Sequence, residues 1–172
     1  RPRKPVPMGT QLDRAVARWV KAGLVESSGW KGAPLIEAPL PDGPDVELDI
    51  ERVERVLKFF LLLRQLIGRW AGRNFILLDW QVRYLVGPVF GIVDKTTRRR
   101  VIRTVWFEIP RKNGKSTLSS GIALVLLAAD GEQGGEVVLK ARDYSGRLHS
   151  TPWSGGSLRV NKALSQVLRD II

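Results

Sequence analysis

The residues best equipped for chemistry are Gly114-Lys115-Ser116-Thr117, a glycine followed by an ammonium group and two hydroxyls. At the start of a helix such a run binds phosphate. Backbone N–H groups surround the oxygens, Lys115 places its ammonium on the β and γ oxygens, and the Ser116 hydroxyl ligates Mg²⁺. The alternative is a solvated basic turn with no ligand. The flanking sequence favours phosphate. Val105 to Ile109 is a short apolar run of β-branched and aromatic residues, which predicts a buried strand. Pro110 ends it, having no N–H to give a ladder. Leu118 to Ala129 is apolar over a helical length. Strand, tight basic loop and helix, in that order, is the setting a phosphate loop requires. The full pattern also asks for glycine five residues before Gly114, where Ile109 stands.

Composition narrows the other chemistries. The chain has 172 residues, 44% of them apolar, enough for one domain with a sizeable core. With no cysteine there is no disulfide framework and no thiolate zinc site. The one histidine, His149, excludes His-based metal clusters, leaves little room for Ser/His catalysis, and reads as an incidental surface residue. A net charge of +11 points to a polyanionic partner, with solvated basic faces as the bland alternative. The most apolar stretch, Val56 to Ile67, carries Lys58 and Arg64 and is too short to span a membrane. The opening Arg1-Pro2-Arg3-Lys4-Pro5 has neither an initiating Met nor an apolar signal core. It is read as the cut edge of a longer frame or a tag-free fragment, and the chain as cytoplasmic.

The elements that must hold the loop follow from periodicity. Leu12, Val16, Val20 and Leu24 recur every four residues, predicting an amphipathic helix over Leu12 to Val25. Gly29 to Pro44 is rich in Pro and Gly and reads as an extended connector. Asp49 is the expected N-cap of a helix closed by Gly68, with Glu51 in its first turn. Its stripe Val53, Val56, Leu57, Phe60, Leu63 and Ile67 is widened by Phe59, Leu61 and Leu62, as in a helix buried on more than one side. Asp79 is the expected cap of a helix through Trp80, Gln81, Tyr84 and Leu85. A Gln beside an aromatic can read adenine, because its amide matches the exocyclic amine and ring nitrogen of the base. A lone Gln is unspecific, however, and by itself reads as a polar residue on a helix surface.

Ile92 to Arg103 predicts a β-hairpin with Asp94-Lys95-Thr96-Thr97 as the turn. Arg98, Arg99, Arg100 and Arg103 on its return arm either touch DNA phosphates or keep an exposed edge soluble. Beyond the loop, Leu118, Ile122, Val125 and Ala129 line one helix face, Gly131 or Gly134 ends the helix, and Glu136 to Leu139 is a second strand. These elements predict the opening βαβ unit of a parallel sheet.

Three ordered blocks, E-L-D-I-E-R-V-E-R-V-L-K-F-F, G-R-W-A-G-R-N-F-I-L-L-D-W-Q and I-P-R-K-N-G-K-S-T, resemble the large terminase subunit of tailed bacteriophages. The resemblance covers Glu47 to Leu139, about half the chain. It implies a P-loop ATPase that uses ATP and Mg²⁺ to pump double-stranded viral DNA into a procapsid in the host cytoplasm. The family works as a homo-oligomeric ring with a small terminase subunit and a portal protein, away from membranes, and carries a separate C-terminal nuclease. The implied fold is α/β, a P-loop NTPase three-layer sandwich truncated on its C-terminal side, with a mostly helical N-terminal extension. By resemblance, Trp80 and Gln81 fall on the adenine-recognition motif. Arg111, Lys112, Asn113, Gly114, Lys115, Ser116 and Thr117 fall on a deviant Walker A loop that tolerates the missing first glycine. Lys115 and Arg111 are then the catalytic candidates, Lys115 on the β/γ-phosphates and Arg111 sensing the γ-phosphate, with Ser116 as the metal ligand.

The expected organisation is an extension and connector over residues 1–46, the ATPase block over 47–139 and a divergent tail over 140–172. No apolar run after Leu139 ends in Asp-Glu, so the Walker B pair and the acidic nuclease cluster lie outside this sequence. The expectation is an N-terminal piece of the motor, inactive alone, with open sheet edges and low stability. Two other readings stay open: a helicase-like nucleic-acid-dependent P-loop ATPase, and a basic nucleotide- or DNA-binding fragment without turnover. In the tail only Asn161 to Ile172 reads as a helix. Arg142 to Gly146 can be encoded so that a neighbouring frame reads Ala-Thr-Thr-Arg, which suits the family's segment after the second strand. A frameshift near Leu139 to Ala141, or disorder, is the expected account of the tail.

Overall fold

The computed structural model describes residues 6–32, 34, 37–64, 71–109, 114–128, 136–138 and 157–159. The chain divides into two compact units, Arg1–Pro110 and Arg111–Ile172. Together they make a mixed helix/sheet protein, with three two-stranded sheets among the described residues.

The first unit opens with α1 (Met8–Lys21), which buries Leu12, Ala15, Val16 and Trp19. The helix starts before Leu12 and stops before Val25. Gly23, at φ +74°, ends it in the left-handed conformation. The Gly23 N–H donates to Val20 O at 3.2 Å and the Leu24 N–H to Trp19 O at 3.0 Å, which satisfies the last carbonyls. Val25 is thereby freed for β1 (Val25–Glu26), which pairs in parallel with β3 (Leu77–Leu78). After the connector, β2 (Val46–Leu48) leads into α2 (Ile50–Leu62). Asp49 caps α2 as expected, its carboxylate accepting from the Arg52 N–H at 2.9 Å. The stripe Val53, Val56, Leu57 and Phe60 is buried, and Phe59 with it, so the helix is covered on more than one side. The helix ends at Leu62, earlier than expected. Leu63 turns extended, and its carbonyl accepts from the Phe75 N–H at 2.8 Å to seed the Arg64–Asn74 bridge. Ile67 and Gly68 lie outside the described residues.

A helical rod follows in three pieces: α3 (Asp79–Gln81), a π-helical segment (Val82–Val86) and α4 (Gly87–Gly91). The wide turn has a cause in the sequence. Pro88 has no N–H, and its ring would crowd the carbonyl of Tyr84, one α-turn back. The helix widens just ahead of it, with the Gly87 N–H reaching Val82 O. From the rod the chain enters β4 (Ile92–Asp94), antiparallel to β2 in the register Val46–Asp94, Glu47–Val93 and Leu48–Ile92. The hairpin forms as expected at its root. Val93 bridges Arg100, and the Val101 N–H donates to Ile92 O at 3.0 Å.

Val105 to Ile109 is not a strand. It is irregular, Trp106 is 88% exposed, and among the described residues no hydrogen bond reaches Thr104–Ile109. β-Propensity describes a fit to a half-buried pleated surface, and a run with no ladder partner leaves its backbone to water.

In the second unit, α5 (Lys115–Ala128) begins three residues before the expected Leu118, so Lys115, Ser116 and Thr117 form its first turn. Leu118, Gly121, Ala123, Val125 and Leu127 are buried and Ile122 is half-buried, a wider apolar girdle than the single face expected. β5 (Glu136–Val138) forms where the second strand was expected. It pairs antiparallel with β6 (Ser157–Arg159), and among the described residues it has no parallel partner of the kind a βαβ unit requires. β6 also gives the tail one ordered strand that its composition did not announce. Ala129, Gly131, Gly134, residues 139–156 and Asn161 to Ile172 lie outside the described residues, as does any effect of a frameshift there. Among the described residues no helix is long and apolar enough to cross a membrane.

Two glycines fix how closely the rod packs. A Cβ on Gly87 would lie 2.7 Å from Val82 O and 2.8 Å from Leu12 Cδ1, and one on Gly91 would lie 2.6 Å from Val53 Cγ2. Gly87→Ala is therefore expected to destabilise the first unit by about 1–3 kcal/mol, because the backbone carbonyl in its way cannot rotate aside. Thermal denaturation of the variant beside Gly43→Ala, where a Cβ meets open space, checks this. Equal melting temperatures would refute it.

Candidate functional site

Gly114 stands at φ +70°, a conformation that favours glycine, and its carbonyl accepts the first bond of α5 from the Leu118 N–H at 2.9 Å. The N–H groups of Lys115, Ser116 and Thr117 precede that bond and are the orphan donors of the helix start. Lys115 and Thr117 are exposed, while Leu118 is 1% exposed and pins the turn to the core of its unit. The result is an accessible, positively polarised helix start with an ammonium group on its first residue. Ser116 is the second residue of α5, and its side chain lies outside the described residues. Arg111, Lys112 and Asn113 lie outside them altogether.

In the first unit, Trp80 and Gln81 open the rod. Gln81 is 4% exposed, so it is not the helix-surface residue its isolation suggested. Its Oε1 accepts from the Leu78 N–H at 2.9 Å, so the side chain reaches back to cap its own helix. Leu78, not Asp79, is thus the N-cap residue. Asp79 is the first helical residue and acts as a knot. Its carboxylate accepts from the Trp80 N–H at 2.8 Å, the Ser28 N–H at 3.2 Å and the Ser27 hydroxyl at 3.5 Å. The start of the connector is thereby tied to the start of the rod, and Trp30 packs edge-on against Tyr84 with ring centroids 5.9 Å apart. Trp80 stacks on Phe107 at 6.2 Å and 19°. An Asp directly before a Trp-Gln pair was legible as a helix start, but its bonds to Ser27 and Ser28, some fifty residues away, were not.

The arginines of the hairpin divide into two groups. Arg98 adopts φ +57° and forms ion pairs with both Glu47 and Asp49, while Arg52 Nη1 donates to the Arg98 carbonyl at 2.9 Å. It holds the hairpin to the mouth of α2 and is not available to phosphates. Arg100 lies 5.9 Å from the Phe90 ring centroid. Arg99 and Arg103 are exposed and have no ion-pair partner among the described residues. The alternatives for this arm, phosphate contact or soluble edge, therefore narrow to those two.

Three titrating groups mark the local electrostatics. The Arg83 guanidinium is pushed up chiefly by its hydrogen bond to Asp13. Glu54 is held below the ordinary carboxylate value by its bond to Lys58 at 2.9 Å and then by the Trp19 indole N–H, with burial opposing. Asp94 is likewise held down, first by the Thr97 N–H at 2.7 Å, then by the Thr97 hydroxyl at 2.9 Å, and in smaller measure by the Thr96 N–H at 3.0 Å. Compared with protein-family models, curated proteins and solved structures, the chain has no significant match among any of them.

A lowered carboxylate pKa stabilises the fold above the unfolded value, and the contribution is lost as pH falls through the folded one. The Asp94 turn is therefore expected to be intact at neutral pH and to loosen on acidification below the ordinary Asp value of 3.8. Hydrogen exchange of the Thr97, Arg98 and Val101 amides checks this, and Asp94→Ala should raise exchange at neutral pH as acid does in the parent. Protection that persists in Asp94→Ala would contradict it.

Proposed function

We propose that this chain is the N-terminal part of the ATPase domain of a phage terminase large subunit, the motor that packages double-stranded viral DNA into a procapsid. The observation that carries the reading is the helix start at Gly114-Lys115, where a left-handed glycine ends the loop and the lysine occupies the first turn of α5. It coincides with the resembling sequence I-P-R-K-N-G-K-S-T. The free N–H groups of Lys115 to Thr117 suit phosphate oxygens, and Lys115 supplies the charge that a β/γ-phosphate needs. Ser116 would hold Mg²⁺, which neutralises charge developing on the transferred phosphoryl group. Arg111 is the residue proposed to sense that group, with Lys112 and Asn113 shaping the loop.

Gln81 is proposed to read adenine with Trp80 beside it. Its Oε1 already holds the Leu78 N–H, so the Nε2 group is the part left to donate to a base. The proposed architecture is the three-layer P-loop sandwich, in which the ladder at Val105 to Ile109, unformed in this structure, would be completed by further strands. The sequence holds no apolar run ending in Asp-Glu after Leu139. These residues are therefore assigned nucleotide binding, and turnover is assigned to an acidic pair outside them. The homo-oligomeric ring, the small subunit, the portal and the host cytoplasm belong to the same proposal.

The test is equilibrium binding of a fluorescent ATP analogue with Mg²⁺. Lys115→Ala is expected to weaken binding about tenfold or more, the effect of losing one charge-assisted contact. Gln81→Glu keeps the acceptor for Leu78 and removes the amide donor, so it should erase a preference for ATP over GTP while the fold is kept. Absence of binding by the parent chain, or binding that Lys115→Ala leaves unchanged, would sink the reading.

A further inference from the structure

The outer face of α1 carries a charge pattern that the nucleotide site does not use. Arg14, Arg18 and Lys21 fall at intervals of four and three and are all exposed. At 100° per residue they share an arc of about 60° and span roughly 10 Å of helix. Thr10, Gln11 and Ala17 fill the rest of that face, which holds no carboxylate. Asp13 on the helix and Glu54 beside it are already engaged. Asp13 is paired with Arg83, and Glu54 is bonded to Lys58 and to the Trp19 indole N–H, with Arg18 acting on it only from a distance. Among the described residues none of the three cations forms an ion pair. The sequence places three more, Arg1, Arg3 and Lys4, just ahead of the helix.

A row of cations without internal anions raises the free energy of the protein alone and is relieved by an external polyanion. Two kinds of polyanion fit a basic helix, a membrane surface and a nucleic acid backbone. The membrane mode needs the apolar face of the helix for insertion. Here Leu12, Ala15, Val16 and Trp19 are buried in the first unit and are not available. Phosphodiester contact needs only the cationic face.

We propose that the solvent face of α1 is a docking surface for the phosphate backbone of duplex DNA, with Arg14, Arg18 and Lys21 as the contacts. The surface is sequence-independent, since it offers cations to phosphates and no base-reading geometry. It is separate from the phosphate loop and does not depend on that loop binding nucleotide.

The experiment is binding of a short fluorescent DNA duplex to the full chain, followed by anisotropy across a salt series. Releasing counterions from three phosphates contributes about 0.9 each to the slope of log K against log salt. Arg14→Gln/Arg18→Gln/Lys21→Gln together should therefore lower that slope by about 2–3 while the cooperative melt is kept, because the three side chains are exposed and form no ion pair among the described residues. Arg99→Gln/Arg103→Gln and Lys115→Ala should each keep most of the slope; the second variant separates this surface from the nucleotide site. No duplex binding by the parent chain, or an unchanged slope in the triple variant, would overturn the proposal. So would loss of the slope in the Arg99/Arg103 variant alone. Phosphatidylserine vesicles that bind the parent as tightly as the duplex, and lose binding in the triple variant, would assign the face to a membrane instead.

Discussion

The first unit depends on how closely three elements approach the Gly87–Gly91 rod. Leu12 of α1 lies where a Cβ on Gly87 would be, and Val53 of α2 and Leu48 of β2 lie where one on Gly91 would be. Two missing methyl groups thus let two helices and a strand share one post, and Phe60 and Phe90 are sealed with them to 1% exposure or less. The rod is shaped by the same few residues, since Pro88 forces the π-helical turn and Gly87 occupies its end. Everything placed at the start of the rod inherits this packing. Asp79, Trp80 and Gln81 are held because the segment behind them cannot slide.

The clamp at Arg98 shows which effect governs the hairpin. A left-handed backbone at a non-glycine residue costs about 1–2 kcal/mol. Its two ion pairs involve side chains that are partly exposed, and such pairs return at most about 1 kcal/mol each. The pairs therefore do not stabilise by charge alone. The Arg98 N–H donates to Asp94 O at 2.9 Å and the Arg98 carbonyl accepts from Arg52, so the strained residue has both backbone groups engaged. Asp49 serves twice, one oxygen capping α2 and the other meeting Arg98. The cap of a helix and the return of a hairpin are consequently one structure, and the basic arm leaves it in a fixed direction.

What was legible in the sequence follows from the range of the forces involved. The Asp49 cap, the first part of the α2 stripe from Val53 to Phe60 and the Asp94 turn are set by residues within about one helical turn of each other, and each is found as read. The schemes that failed needed distant partners. Val105 to Ile109 has the composition of a strand, but a strand is made by its neighbours, and none is paired with it. Gln81 read as a surface residue because the core that covers it comes from elsewhere in the chain, even though its bond to the Leu78 N–H is made within one turn. The parallel pairing of Val25 with Leu77 joins residues too far apart for any periodicity to reveal. Gly114 takes the left-handed conformation that favours glycine and Lys115 opens α5, while the antiparallel partner of β5 came from a tail that carried no strand signal.

Gly114 is flanked in sequence by two stretches that are both more apolar than their surroundings cover. On one side Val105 and Trp106 are 46% and 88% exposed, with only Phe107 engaged, against Trp80. On the other, α5 is apolar around most of its circumference and leaves Leu124 41% exposed. A helix of that kind is normally enclosed on several sides. Helix capping at Gly114 does not require that cover, because it is satisfied within one turn. The helix start at Gly114 and the seating of Gln81 consequently rest on different scales of structure. The first is closed within one turn by a glycine and the Leu118 N–H, and the second depends on the long-range packing that buries Gln81.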